Sequence, residues 1–173
     1  KRKPQIVMLS RFVPAKDQAT LIKAVAYVNK QLSLLLVGDG ETMARCKELS
    51  TQIGVSDRVQ FLGARSDVSE WLWQSMIGVQ SSHWEGFGLT AVEMMAAGLP
   101  VVASDVEGLK QVVAGAGMLF NRGDEKQLAQ IINELYEDTT LRNDTIVACQ
   151  KRAQQYSIVK SAQAIIERYN QLI

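Results

Sequence analysis

Two glutamates, Glu85 and Glu93, bracket a glycine-flanked turn of Gly86, Phe87, Gly88, Leu89 and Thr90. Strand-like Gly78-Val79-Gln80-Ser81-Ser82 precedes the turn, and helix-forming Ala91 to Ala97 follows it. A strand-to-helix turn exposes backbone N–H groups where a helix N-terminus can hold phosphate. Ionised carboxylates accept strongly from sugar or ribose hydroxyls. Phosphate at the helix start and hydroxyls at the carboxylates describe a nucleotide-sugar site. The same residues also fit a plainer pattern. Thr90-Ala91-Val92-Glu93 reads as a capping box, and glycine before a helix is ordinary turn chemistry.

Cations stand at the end of the first predicted strand, where Ser10-Arg11 leads through Phe12-Val13-Pro14-Ala15 to Lys16. A diphosphate leaving group gains charge as its bond to a sugar breaks, and fixed Arg and Lys side chains stabilise that charge without a metal. Each such charge-assisted hydrogen bond contributes roughly 1.5–3 kcal/mol. Two surface cations in a loop are the bland alternative. Gly38-Asp39-Gly40 opens like a dinucleotide motif, but Met43 occupies the third-glycine position and the motif follows the second strand rather than the first. A tight turn is expected there, and a nicotinamide enzyme is disfavoured.

His83 is the only histidine, which argues against a metal site, and no partner that would make it a general base is visible in sequence. Trp84 and Phe87 are expected to anchor the loop rather than stack on a ligand. The sequence holds no Asp-x-Asp pair, so no set of neighbouring aspartates is offered to a cation. Neither a metal nor another cofactor is expected. Arg65, just after Phe61-Leu62-Gly63, is placed to reach a base or a phosphate, or to be solvated in its loop.

Elements to position these residues follow from the patterning. The 173 residues are 47% hydrophobic and 21% charged, with a formal net charge of +1, which is the profile of one globular α/β domain. That charge gives no general nucleic-acid or membrane surface. Cys46 and Cys149 have no metal or redox spacing. No apolar run approaches the ~20 residues of a membrane helix, and a soluble cytoplasmic domain is the expectation. Strands are predicted at residues 5–9, 33–37, 58–62, 77–80, 100–103 and 117–120, several apolar throughout, as in parallel strands covered on both faces. Helices are predicted between them: one capped by Asp17 with Leu21, Val25 and Val28 on one face, then 41–53, 68–74, 90–97 and 108–113. A helical tail follows at 127–137, 141–154 and 158–171. This rhythm predicts an α/β fold, a Rossmann-like doubly wound parallel sheet of about six strands with C-terminal helices. Ligands bind at the carboxyl ends of such strands, which places Arg11, Gly38, Gly63, Ser81 and Ser104 on one rim.

On these motifs the chain resembles the nucleotide-binding half of a GT-B fold retaining glycosyltransferase of family 4. Four segments are similar in order: Ser10-Arg11 with Lys16-Asp17; Leu35 to Glu41; Val59 to Gly63; and Glu85 to Glu93 followed by Gly98 to Asp105. The resemblance implies that Arg11 and Lys16 bind the donor diphosphate, that Glu85 faces the transferred sugar, and that Gly86, Phe87, Gly88, Leu89 and Thr90 present main-chain groups to sugar and phosphate. It gives Glu93 the ribose hydroxyls and brings Arg65 near the base. Ser10 and Asp17 depart from the family's glycines at those positions without removing a charge.

The resemblance further implies that residues 1–173 form a single C-terminal donor-binding domain, without the N-terminal acceptor domain. Such a domain takes a nucleoside-diphosphate sugar and serves hexosyl transfer to a glycan or lipid-linked acceptor in polysaccharide or lipopolysaccharide biosynthesis. Alone it is expected to bind nucleotide weakly and to transfer nothing. A sugar-nucleotide epimerase or hydrolase of the same fold, and a non-catalytic nucleotide-binding module, are the alternatives.

Overall fold

The computed structural model of the chain describes residues 2–156. Six strands, β1 (Gln5–Leu9), β2 (Ser33–Val37), β3 (Val59–Gly63), β4 (Ile77–Gln80), β5 (Val101–Ser104) and β6 (Met118–Phe120), form one sheet in the order β3-β2-β1-β4-β5-β6. Every pairing in the sheet is parallel. All six predicted strands are present, and three begin one residue later than their apolar runs suggest. The connecting helices are α1 (Gln18–Ala24), α2 (Met43–Gln52), α3 (Val68–Gln74), α4 (Leu89–Ala96), α5 (Glu107–Val113), α6 (Glu125–Glu137) and α7 (Thr139–Ala153). The helix expected over 158–171 lies outside the described residues. No helix among the described residues is long and apolar enough to cross a membrane.

Strand alternation divides the core into two layers. Ile6 and Met8 of β1 join Leu34 and Leu36 of β2 beneath α1, α2 and α6. Val7, Leu9, Leu35 and Val37 point the other way, under α3, α4, α5 and α7. Three helix starts are set by aspartates. The Asp17 carboxylate accepts from the Thr20 amide at 3.1 Å and the Thr20 hydroxyl at 2.6 Å. Asp124 and Asp138 cap α6 and α7 in the same way.

The α1 helix is shorter than its apolar stripe suggests. It stops at Ala24, and Val25 and Val28 stay buried in the turn that follows. Asn133 of α6 accounts for the early stop. Its side-chain oxygen accepts from the Asn29 amide at 2.8 Å and its side-chain nitrogen donates to the Tyr27 carbonyl at 3.1 Å. Tertiary partners therefore replace the helical ones.

The Gly38-Asp39-Gly40 turn has the structural role that its sequence suggests. Gly38 has φ +136°, and a Cβ there would lie 2.0 Å from the Ser10 carbonyl oxygen; a Cβ on Gly40 would lie 2.3 Å from that of Phe12. The two glycines let the turn lie directly against the Arg11 loop, where the Phe12 amide donates to Asp39 O at 2.9 Å. Gly38→Ala is expected to lower unfolding free energy by about 2 kcal/mol or more, as strain and overpacking combine. Chemical denaturation of the variant measures this.

Both cysteines are free and buried. Burial pushes the Cys46 thiol upward and the Cys149 thiol from 9.0 to about 11. An unfolded thiol therefore ionises first, and folding stability falls as pH rises from 9.0 toward about 11. Denaturation midpoints across that window should decline in the native chain and decline less steeply in Cys149→Ala, where Cys46 remains.

Candidate functional site

The sheet order reverses direction between β1 and β4, and the loops leaving these two strands part there to form a crevice. The β1–α1 and β4–α4 loops are nonetheless joined at their bases. Lys16 pairs with Ser82 in an isolated antiparallel bridge, the Asp17 amide donates to Ser81 O at 3.1 Å, and the His83 amide donates to Ala15 O at 2.9 Å. Ser104, at the end of β5, holds the second loop from the other side by accepting from the Ser82 amide at 3.0 Å.

The β4–α4 turn resolves the two readings of Thr90 and Glu93. The helix begins two residues earlier than a capping box requires. Gly88 is the N-cap, in left-handed geometry at φ +88°, with no side-chain cap bond. Thr90 already lies inside the first turn, so its hydroxyl and the Glu93 carboxylate do not close the helix start. Instead the amides of Leu89 and Thr90 have no acceptor among the described residues. They add their partial positive charge to the crevice.

Beside them, Lys16 Nζ donates to Glu85 Oε2 in an ion pair whose side chains are only 17% and 16% exposed. Arg11, exposed at the end of β1, has no ion-pair partner among the described residues. Its carbonyl accepts from Gln18 Nε2 at 2.9 Å, which fixes the loop while leaving the guanidinium free to turn. Lys16, Glu85 and the α4 start are thus brought together, with Arg11 on the same rim. Among the described residues no three His, Cys, Asp or Glu side chains converge as metal ligands.

His83 has a neighbour that sequence did not reveal: Asp17 Oδ1 is 3.6 Å from its Nε2, and Asp17 is 3% exposed. This is proximity rather than a hydrogen bond. Both residues, with Lys16, line a groove of about 530 Å³ between α1 and α2.

The remaining site residues are more dispersed. Arg65 is on the loop after β3, held by Asp67 through bonds of 2.7 and 2.6 Å and lying 5.8 Å from the Trp71 ring centroid. The guanidinium lowers the Asp67 carboxyl to about 2. Glu93 is exposed and lines a groove of about 500 Å³ with Gln150 and Tyr156. The two aromatics of the loop behave differently from each other. Phe87 meets the expectation of a loop anchor only in part: its ring lies 5.4 Å from that of Tyr156 and nearly perpendicular to it, yet it stays 40% exposed. Trp84 corrects that expectation, because its side chain is 70% exposed.

Gly108 is a supporting residue that sequence reasoning missed. A Cβ there would lie 2.4 Å from Glu85 O and 2.7 Å from Gly86 O. The absence of a side chain on α5 therefore decides how low the glutamate loop sits. Its only sequence signal is a glycine near the start of a predicted helix, where glycine is unfavourable unless packing requires it.

The crevice thus combines an uncapped helix start with two cations at the switch point of a doubly wound parallel sheet. Residues 1–152 match the Glycosyl transferases group 1 family, and the chain belongs to it. The lipopolysaccharide core biosynthesis glycosyltransferase LpsE of Rhizobium meliloti is 35% identical over 141 residues, covering 80% of this chain and 41% of that protein. Anabaena HepE, solved in complex with UDP-glucose, is 32% identical with a TM-score of 0.91, over 98% of this chain and 49% of that one. Sucrose-phosphate synthase from Thermosynechococcus elongatus is 29% identical with a TM-score of 0.88, over 98% of this chain and 45% of that one. The fold is that of GT-B glycosyltransferases, as the motifs imply. The chain spans less than half the length of each of these relatives.

Gly108→Ala is expected to lift the Glu85–Gly86 backbone and lower thermal stability by about 1–3 kcal/mol, the cost of overpacking. Thermal unfolding reads the loss, and amide exchange at residues 85–90 should locate it in the glutamate loop.

Proposed function

We propose that this chain is the donor-binding domain of a retaining glycosyltransferase that moves a hexosyl unit from a nucleoside-diphosphate sugar. The acceptor is a glycan or lipid-linked saccharide, and the setting is polysaccharide or lipopolysaccharide assembly in the cytoplasm. The observation that carries this reading is the uncapped α4 start, with free Leu89 and Thr90 amides beside the half-buried Lys16–Glu85 pair. Family membership and the nucleotide sugar named for HepE support it. Because the match covers 41% of LpsE and 49% of HepE, the acceptor is assigned to a second domain. The domain alone binds donor and transfers nothing.

In this reading Arg11, Lys16 and the α4 amides receive the diphosphate, and no metal is required. Glu85 faces the sugar, with the backbone of Gly86 to Thr90 lining its approach. Glu93 holds the ribose hydroxyls and Arg65 lies toward the base. The bond from the anomeric carbon to the diphosphate oxygen breaks with its electron pair leaving on phosphate. The acceptor oxygen attacks from the same face and passes its proton to the departing phosphate, so configuration is retained. A double displacement needs a second carboxyl about 5–5.5 Å from the first across the anomeric carbon. With Glu93 occupied by the ribose, only Glu85 remains near the sugar, which favours the single-carboxylate route. A covalent glycosyl adduct trapped on Glu85 in the two-domain enzyme would overturn that route.

The binding test is a thermal-shift and calorimetric comparison of UDP, GDP and ADP with their hexose conjugates, with and without magnesium. Ligand that binds only the folded state stabilises it by mass action. One nucleotide should bind selectively and independently of magnesium. Arg11→Ala and Lys16→Ala should each weaken it by about tenfold or more, the equivalent of one charge-assisted hydrogen bond. No response to any of the three, or loss of binding on chelation, overturns the reading.

A further inference from the structure

Trp84 combines a fixed backbone with a free side chain. Its amide and that of His83 both reach Ala15 O, at 3.4 and 2.9 Å. The His83 carbonyl accepts from Arg122 of the β6–α6 loop at 3.4 Å. The indole is 70% exposed, and its edge lies 4.0 Å from where a Gly86 Cβ would be. A large aromatic surface is thus held at one place on the rim, next in sequence to Glu85, and the fold does not bury it. Trp has two side-chain torsions to immobilise, so it offers contact area at low entropic cost. An indole carried on an immobilised backbone and left in water is suited to a flat partner.

The sheet order selects that partner. Arg65 follows β3 and Trp84 follows β4, three strand spacings apart, or about 14 Å. A nucleotide whose base lies toward Arg65 therefore reaches Trp84 with its other end, where the sugar is. The C–H face of a pyranose is flat and apolar, whereas its edge carries the hydroxyls that a neighbouring carboxylate would accept. From this geometry we propose that Trp84 is the stacking platform for a pyranose ring held against Glu85. The position of that ring relative to the nucleotide rests on the donor-site reading above. The ring is either the transferred hexose or the terminal sugar of the acceptor, which present the same face.

The experiment uses the chain labelled with 5-fluorotryptophan, whose three fluorine resonances are assigned by Trp71→Phe, Trp73→Phe and Trp84→Phe. UDP, UDP-glucose, and a panel of methyl hexopyranosides and disaccharides are titrated separately. The Trp84 resonance should shift with a sugar-bearing ligand and not with UDP. A shift with UDP-glucose assigns the ring to the donor, and a shift with free saccharide alone assigns it to the acceptor. In calorimetry Trp84→Ala should weaken the sugar-bearing ligand about tenfold, on the scale of aromatic stacking, with Trp84→Phe near wild type and UDP affinity unchanged. A Trp84 resonance indifferent to UDP-glucose and to every saccharide overturns the proposal, even where UDP binds. Failure of UDP to bind while a saccharide moves Trp84 counts against the donor reading and leaves the platform standing.

Discussion

The rim depends on the pairing of β1 with β4. These strands lie side by side, yet the chain visits them with two other strands between, so their outgoing loops head to opposite faces of the sheet. Parallel strands expose their carboxyl ends together, and Arg11 and Glu85 reach the same rim because of it. The seam of backbone bonds between Ala15–Asp17 and Ser81–His83 then limits how far the two loops can part. Loss of that pairing would separate the cations from the carboxylate even with every helix intact.

Small residues refine the arrangement. Gly38 and Gly40 let the second loop support the first, while Gly108 lets the glutamate loop settle onto α5. Met94 of α4 packs over Gly78, where its sulfur would lie 2.7 Å from an added Cβ, and so draws the helix close to β4. The site is formed as much by missing side chains as by charged ones.

Much of this was legible in the sequence, for identifiable reasons. Strands buried on both faces, such as β1 and β2, announce themselves as apolar runs, and Asp17 was readable as a cap. What failed to show depended on contacts distant in the chain. The end of α1 is set by Asn133, more than a hundred residues onward, and no local propensity encodes it. Thr90 and Glu93 satisfied a local capping pattern, but Gly88 took the N-cap because its left-handed backbone starts the helix earlier. Trp84 and Phe87 are equivalent as letters, three apart on one loop. Only the position of Tyr156 distinguishes the packed ring from the free one. The pairing of Lys16 with Glu85 likewise appears only when the sheet closes.

In the proposed donor site that pair would also act as a filter. Lys16 and Glu85 neutralise each other in a partly desolvated position, where a lone charge is costly. An anion that draws the lysine to itself strands the carboxylate, and the penalty offsets part of the attraction. A ligand carrying hydroxyls beside its phosphates compensates both partners at once. Within the proposed donor site, the resting ion pair would therefore discriminate by composition: simple phosphates would be opposed by the charge they leave behind, while a molecule offering anion and hydroxyl together would not.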